Sequence, residues 1–383
     1  MVDRESLQSI YIQVFDRLKE EEFVGYDPYD LLNSRYTFKN IPHRVLFLLS
    51  QVNKRSFINL RPLLGVKKSL IPKGKALLIK SLLNMNGIIQ PDNYLDRLLQ
   101  SLVSDRFQGY QGACWGLPFE YADRHIRRRN NIGDIVATAY AHDALYHYYL
   151  QKQDRNIRNI LLDTPKFIFD DLGVEKRGNG YSLSYTTQKK YEVFNAICLA
   201  SDILVRTYSL ENTEKYLEYA KGMLDYVISF QEEEGVFPYS RINGNFKYQT
   251  DFHQLYIINS LALYQDITGS GKYDSAIRKG LDYYINNQIF NNGFIRWRYP
   301  SKYPVDIHNQ ASAIYYLLKL KNKYHIKDRL IDEIITATID NFYVPKKRYF
   351  AYQKYPFLTN KVPYIRWGQT WMLLAISQFL RTD

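Results

Sequence analysis

Two short motifs hold the residue types of proton-transfer chemistry, Asp251-Phe-His253 and Asp306-Ile-His308. Each puts a carboxylate two residues before an imidazole, and amides follow: Gln254 in the first, Asn309 and Gln310 in the second. An imidazole titrates near neutrality, so a neutral His253 or His308 can take a proton from a substrate. Asp251 and Asp306 also suit the start of a helix, where a carboxylate accepts backbone N–H bonds near the positive end of the dipole. Hydrolysis of a glycosidic bond would need two carboxyls, one protonated and one ionised. Asp251 with Asp306, or either with Glu120, would supply them. The same cluster has enough donors for a divalent ion, but side chains two apart on a helix diverge. Cys114 and Cys198 are too few and too far apart for zinc. Neither a metal nor a cofactor is expected.

Three loops add basic and aromatic side chains. Arg241 and Lys247 lie between 236 and 250; Arg296, Arg298 and Lys302 between 293 and 304; Lys346, Lys347, Arg348, Lys354 and Lys361 between 346 and 364, with no acid in any of the three. Arginine forks grip carboxylates or sulfates, and flat aromatic faces offer apolar area with a polar edge. An acidic glycan matches both. Arg296, Trp297, Arg298, Asn309, Gln310, Arg366, Trp367, Trp115, Glu120, Arg124, Tyr239 and Arg241 are the expected binding residues. Cleaving a uronate chain by β-elimination, or epimerising it at C5, needs a neutralised carboxylate, a base and an acid. His253 or His308 fits the base, and Tyr248 or Tyr303 the acid. The net charge, 51 − 39 = +12, favours an anionic partner. Nucleic acid is not expected, because no helix-turn-helix, RRM core or zinc finger is present.

These residues must be positioned by repeats. A Gly/Pro/aromatic loop leads into a helix poor in charge, then a turn and a more polar helix. Aligned entries fall at Ile132, Tyr191, Asp251, Asp306 and Ile365, spaced 59, 60, 55 and 59 residues, and the stretch from Ile71 adds a sixth. In this alignment His253 and His308 coincide. Helices such as the one opening at Ala311 are apolar on most sides and form an inner barrel. Their partners, 213–231, 273–288 and 328–342, form an outer ring. Gly235 and Gly293 are expected to end outer helices in left-handed caps. The fold class is all-α, an (α/α)6 toroid, taken as one domain over 1–383: residues 1–39 a leading helix and lead-in, residues 40–383 the hairpins.

With its glycine-aromatic turns, this architecture resembles the six-hairpin glycosidase-like superfamily, which includes glycoside hydrolases, polysaccharide lyases and uronyl epimerase domains. The stretches Gly25–Ser34, Trp115–Glu120, Asp251–His253 and Asp306–Gln310 resemble, within it, the toroid proteins encoded beside bacterial exopolysaccharide genes. That resemblance implies a carbohydrate-active protein, a lyase or epimerase first and a glycoside hydrolase second, associated with polysaccharide biosynthesis machinery. A non-catalytic glycan-binding scaffold is the third reading. The acid motifs of terpene cyclases, which share the toroid, are missing. The charged start, the lack of any run of about 18 apolar residues and the two cysteines point to the cytoplasm, with no transmembrane segment.

Overall fold

The computed structural model describes residues 2–381 apart from 37, 39, 89–92, 124–126, 189–190 and 292. Its helices in chain order are α1 (Arg4–Glu20), α2 (His43–Arg55), α3 (Pro72–Asn84), α4 (Tyr94–Ser104), α5 (Ile135–Lys152), α6 (Arg155–Lys166), α7 (Phe194–Glu211), α8 (Glu214–Ile228), α9 (His253–Thr268), α10 (Asp274–Gln288), α11 (Ile307–Tyr324), α12 (Asp328–Phe342) and α13 (Trp371–Arg381). The inner ring runs α3, α5, α7, α9, α11, α13, and α13 packs back on α3. The outer helices α4, α6, α8, α10 and α12 each follow an inner one. The N-terminal α1 takes the sixth outer place, against α13.

Each layer follows from its sequence. Along α7 nearly every side chain from Phe194 to Thr207 is buried, so the helix has no solvated face. Along α8 the buried residues are Ala220, Gly222, Met223, Leu224, Tyr226 and Val227, one side of the helix, with charges opposite. No helix among the described residues is long and apolar enough to cross a membrane.

Inner helices begin one to six residues after the sequence registers: before α5, α7 and α11 the entering residues are extended and pair with the next repeat, while Ile365–Thr370 before α13 forms a π-helical turn. Asp134 bridges Thr186, Val193 pairs with Ser240, and Asp306 pairs with Gln353. In four of the six repeats one residue then clamps the preceding loop. Gln254 accepts from Phe237 N and donates to Phe237 O; Gln310 does the same with Ile295 N and Gly293 O, Gln369 with Phe350, and Thr138 with Trp115.

Gly235 and Gly293 have positive φ, +101° and +104°, but lie beyond the ends of α8 and α10 rather than at their caps. They serve close approach to the next outer helix. A Cβ on Gly235 would lie 2.2 Å from Lys279 O, and one on Gly293 2.2 Å from Glu333 O. Gly293→Ala should therefore cost more than about 1 kcal/mol, read as a lower urea midpoint. An unchanged midpoint would contradict the packing described.

Candidate active site

The N-terminal ends of the inner helices surround a cavity of about 370 Å³, within the size range of ligand sites. Every repeat contributes: Lys73 from α3, Asp134 before α5, Asn195 from α7, His253 and Tyr256 from α9, His308 and Asn309 from α11, Arg366 and Trp367 before α13. Helix α2, outside the ring, lays Phe47, Gln51 and Lys54 along one wall.

The two Asp-x-His motifs meet here, but they differ. Counted from the clamping glutamines, His253 is one residue before Gln254, while His308 is two before Gln310. The alignment that made the histidines coincide is thus off by one, and His253 matches Asn309. The outcome is two different environments. His253 Nδ1 lies 2.5 Å from Asp251 Oδ1, and His253 N also donates to that oxygen at 3.1 Å. Gln249 Nε2 donates to Asp251 Oδ2 at 2.8 Å, with Arg298 Nε 3.6 Å away. Burial pushes the Asp251 carboxyl up, but His253 and Arg298 outweigh it and hold the group below the usual carboxylate range. With Nδ1 turned to the carboxylate, His253 Nε2 has no hydrogen-bond partner among the described residues, and the ring lines the cavity. Tyr239 packs edge-on against it at 4.8 Å.

His308 is buried deeper, between Trp367 and Trp371, with Phe252 separating it from His253. Its Nε2 meets Tyr256 Oη at 3.2 Å and its Nδ1 has no partner among the described residues. Burial, reinforced by Lys73 and Arg366, keeps this imidazole neutral by pulling its pKa well down. Asp306 accepts from the backbone N–H of His308, at 2.9 Å, rather than meeting its ring, and takes a second bond from Gln353 at 2.8 Å. Burial pushes its carboxyl up to about 6 despite those bonds.

Of the ten loop bases, only Lys247 and Arg298 line the cavity. Arg296 is spent on Asn287 O and Pro300 O, Arg241 packs on Phe230 and Phe246, and Arg348 pairs with Glu20. Trp297, Tyr239 and Trp367 do line the cavity, as does Asn309, whose Nδ2 donates to Arg296 O and Trp297 O while its Oδ1 is unpartnered among the described residues. Several expected residues stand elsewhere. Gln310 is a buried clamp; Trp115 is in the core with Nε1 donating to Leu102 O; Glu120 pairs with Arg127. Tyr248 is exposed and bonds Glu232, and Tyr303 packs on Phe290, so neither reaches the cavity as the acid. Arg124 lies outside the described residues.

Of the cavity's remaining cations, Arg366 was expected, whereas Arg128, Lys54 and Lys73 come from segments that sequence reading passed over. Arg128 is stacked on Tyr121 and Tyr185 and lies 3.6 Å from Asp123. Arg366 grips Asp27 through two bonds of 2.7 and 2.9 Å. Lys54 lies over Trp367 and Tyr29, and Lys73 over Tyr140 at 3.9 Å. Neither lysine has a carboxylate within ion-pair distance among the described residues. Burial, partly offset by Asp306, brings Lys54 down to about 7; burial and Arg366 push Lys73 well below an ordinary amine. One signal was available for Lys73. A helix buried on most sides has no solvated face, so every lysine on α3 must find a partner: Lys75 reaches Asp105, Lys80 reaches Asp143, and Lys73 only rings.

No family model matches this chain, and no curated protein matches it. Solved structures do. A GH76 α-mannanase of Bacteroides thetaiotaomicron superposes with a TM-score of 0.64 at 11% identity, covering 82% of this chain and 86% of that one. Cellobiose 2-epimerase from Bacillus thermoamylovorans gives 0.65 at 11%, covering 81% and 87%. A protein of Salmonella enterica described as a possible GH105 member gives 0.63 at 10%, covering 100% and 95%. The chain therefore shares the (α/α)6 toroid fold of these structures.

Proposed function

We propose that this protein is a carbohydrate-active enzyme that takes an acidic sugar unit into the cavity and acts on it by proton transfer, as a uronate lyase or C5-epimerase does. The observation that carries the reading is the Asp251–His253 pair, with Nδ1 on the carboxylate and Nε2 left to the cavity. Asp251 sets the tautomer and stabilises the imidazolium that forms, so His253 serves as base. The substrate carboxylate supplies the counter-charge that protonated Lys54 lacks, and its neutralisation makes the adjacent C–H acidic. Tyr239, beside His253 and raised by burial, stays protonated and is the candidate acid. Carbohydrate as the substrate class also draws on the neighbours named for it, the mannanase and the cellobiose epimerase, although a fold by itself does not determine chemistry.

A second reading, hydrolysis, is favoured by one observation: Asp251 is held low and Asp306 is raised to about 6, the split an ionised and a protonated carboxyl would need. It ranks second because both carboxylates are about 2% exposed and already hold hydrogen bonds.

A pH dependence follows. Lys54 titrates at about 7, so an anionic sugar meets an ammonium below that value and must bring in a proton above it. Affinity for glucuronate or galacturonate oligosaccharides, measured by calorimetry, should be highest below about 7 and fall as pH rises. Lys54→Arg, whose guanidinium stays charged, should flatten the profile. A native profile unaffected by pH in this range would remove Lys54 from the anion site.

A further inference from the structure

Helix α2 is inside out. Its buried face carries Ser50, Asn53 and Lys54 beside Leu46, and Gln51 faces the cavity, while Val45, Leu48, Leu49 and Val52 face solvent. Those four recur at i, i+3, i+4 and i+7, one stripe of a helix. Leu48 is 62% exposed and Val52 54%. The following segment continues the surface with Phe57, Ile58 and Leu63, all exposed. A second segment joins it: Tyr355 packs on Phe57 at 5.3 Å, Asn360 Nδ2 donates to Ser56 O at 3.0 Å, and between them Phe357 is 96% exposed beside exposed Leu358. A soluble face seldom gathers this much apolar surface without a partner.

Charge indicates which partner. No Asp or Glu occurs from 31 to 91 or from 341 to 382, the two segments that build the face. The same segments expose Arg44, Arg55, Lys67 and Lys361, whereas exposed Lys68 lies 3.9 Å from Glu21 of α1 and is not counted. Apolar side chains flanked by bases and free of acids match a surface that is apolar just beneath an anionic layer. We propose that α2 and the Phe357 turn seat the cavity rim on an anionic lipid bilayer, with the apolar stripe entering the headgroup boundary and the bases meeting lipid phosphates. The opposite face of α2 is a cavity wall, so a docked molecule would hold the cavity mouth beside the membrane. The inference stands apart from the chemistry proposed for the cavity, because it uses none of the cavity's reactive groups.

Flotation of the full chain with phosphatidylcholine vesicles, with and without phosphatidylglycerol, tests it. Binding is expected with phosphatidylglycerol, weakening as salt rises. Leu48→Asp with Val52→Asp should weaken that binding by at least about tenfold, since each removes an inserted apolar side chain. Phe357→Asp should do the same, and at its exposure it has no packing to lose if the helix variant folds poorly. Arg44→Glu with Arg55→Glu should reduce the preference for anionic vesicles. Absence of binding to either vesicle, or equal binding by native and Phe357→Asp chains, would overturn the proposal. So would a concentration-dependent dimer that the same substitutions abolish while vesicles are ignored.

Discussion

His253→Ala should lower turnover of an acidic oligosaccharide by about 10²–10⁴-fold, the range general acid–base groups contribute. Among the described residues, the substitution removes the one imidazole whose Nδ1 is engaged by a carboxylate and whose ring lines the cavity. Helical content should be unchanged, because His253 is the first residue of α9 and not part of the packed barrel. Asp251→Asn should also be damaging, since an amide can hold the ring in the wrong tautomer and cannot stabilise the imidazolium. His308→Ala separates the two histidines that the sequence treats alike. His308 is wedged between Trp367 and Trp371, so its loss should lower stability as well as activity. If His308→Ala abolished turnover with stability intact while His253→Ala were silent, the base assignment would be reversed.

Arg366→Met should cost about 3–5 kcal/mol of stability, seen as a large fall in the denaturant midpoint. Asp27 is 1% exposed and would be left as a buried charge without its fork of bonds. The loss would open the closure of the ring. Asp27 accepts Arg366 across 339 residues, Arg61 Nε donates to neighbouring Asp30 at 2.7 Å, and Ile365 N donates to Tyr26 O at 3.0 Å. A Cβ on Gly25 would lie 2.8 Å from Ile365 Cβ, so the lead-in segment can approach only as glycine. Replacing both partners, Asp27→Leu with Arg366→Met, should cost less than Arg366→Met alone, because no charge is then stranded. A single substitution that leaves the midpoint in place would show that this clasp does not close the ring.

The toroid was legible because its inner helices are buried all round and its outer ones on one stripe, a contrast that repeats about every sixty residues. The small offset in the entries came from extended residues such as Val193 and Asp306, whose backbone pairs with the next repeat. Asp251 and His253 were legible as an unusual pair at a helix start. Trp115 misled because an aromatic in a glycine-rich turn looks like a sugar platform; Thr138, 23 residues later, fixes it in the core. The basic loops misled in a similar way, since composition gives their charge but not their direction. The Gly25–Ser34 motif owes its aspartates to Arg61 and Arg366, partners that no local pattern could reveal. Lys54 was hidden among the bases of α2, whose apolar stripe reads as a core face and is in fact solvent-exposed.

The central claim is that His253 removes a proton from a sugar held in the cavity. Incubation with uronate-containing oligosaccharides in deuterated water, followed by nuclear magnetic resonance, tests it most directly. Deuterium at the carbon beside the carboxylate, or an unsaturated uronate end, should appear with the native chain and be lost with His253→Ala. New reducing ends without exchange, abolished by Asp306→Asn, would instead establish the hydrolase, and binding without any change in the glycan would leave a scaffold. Exchange or cleavage that persists undiminished in His253→Ala would contradict the account.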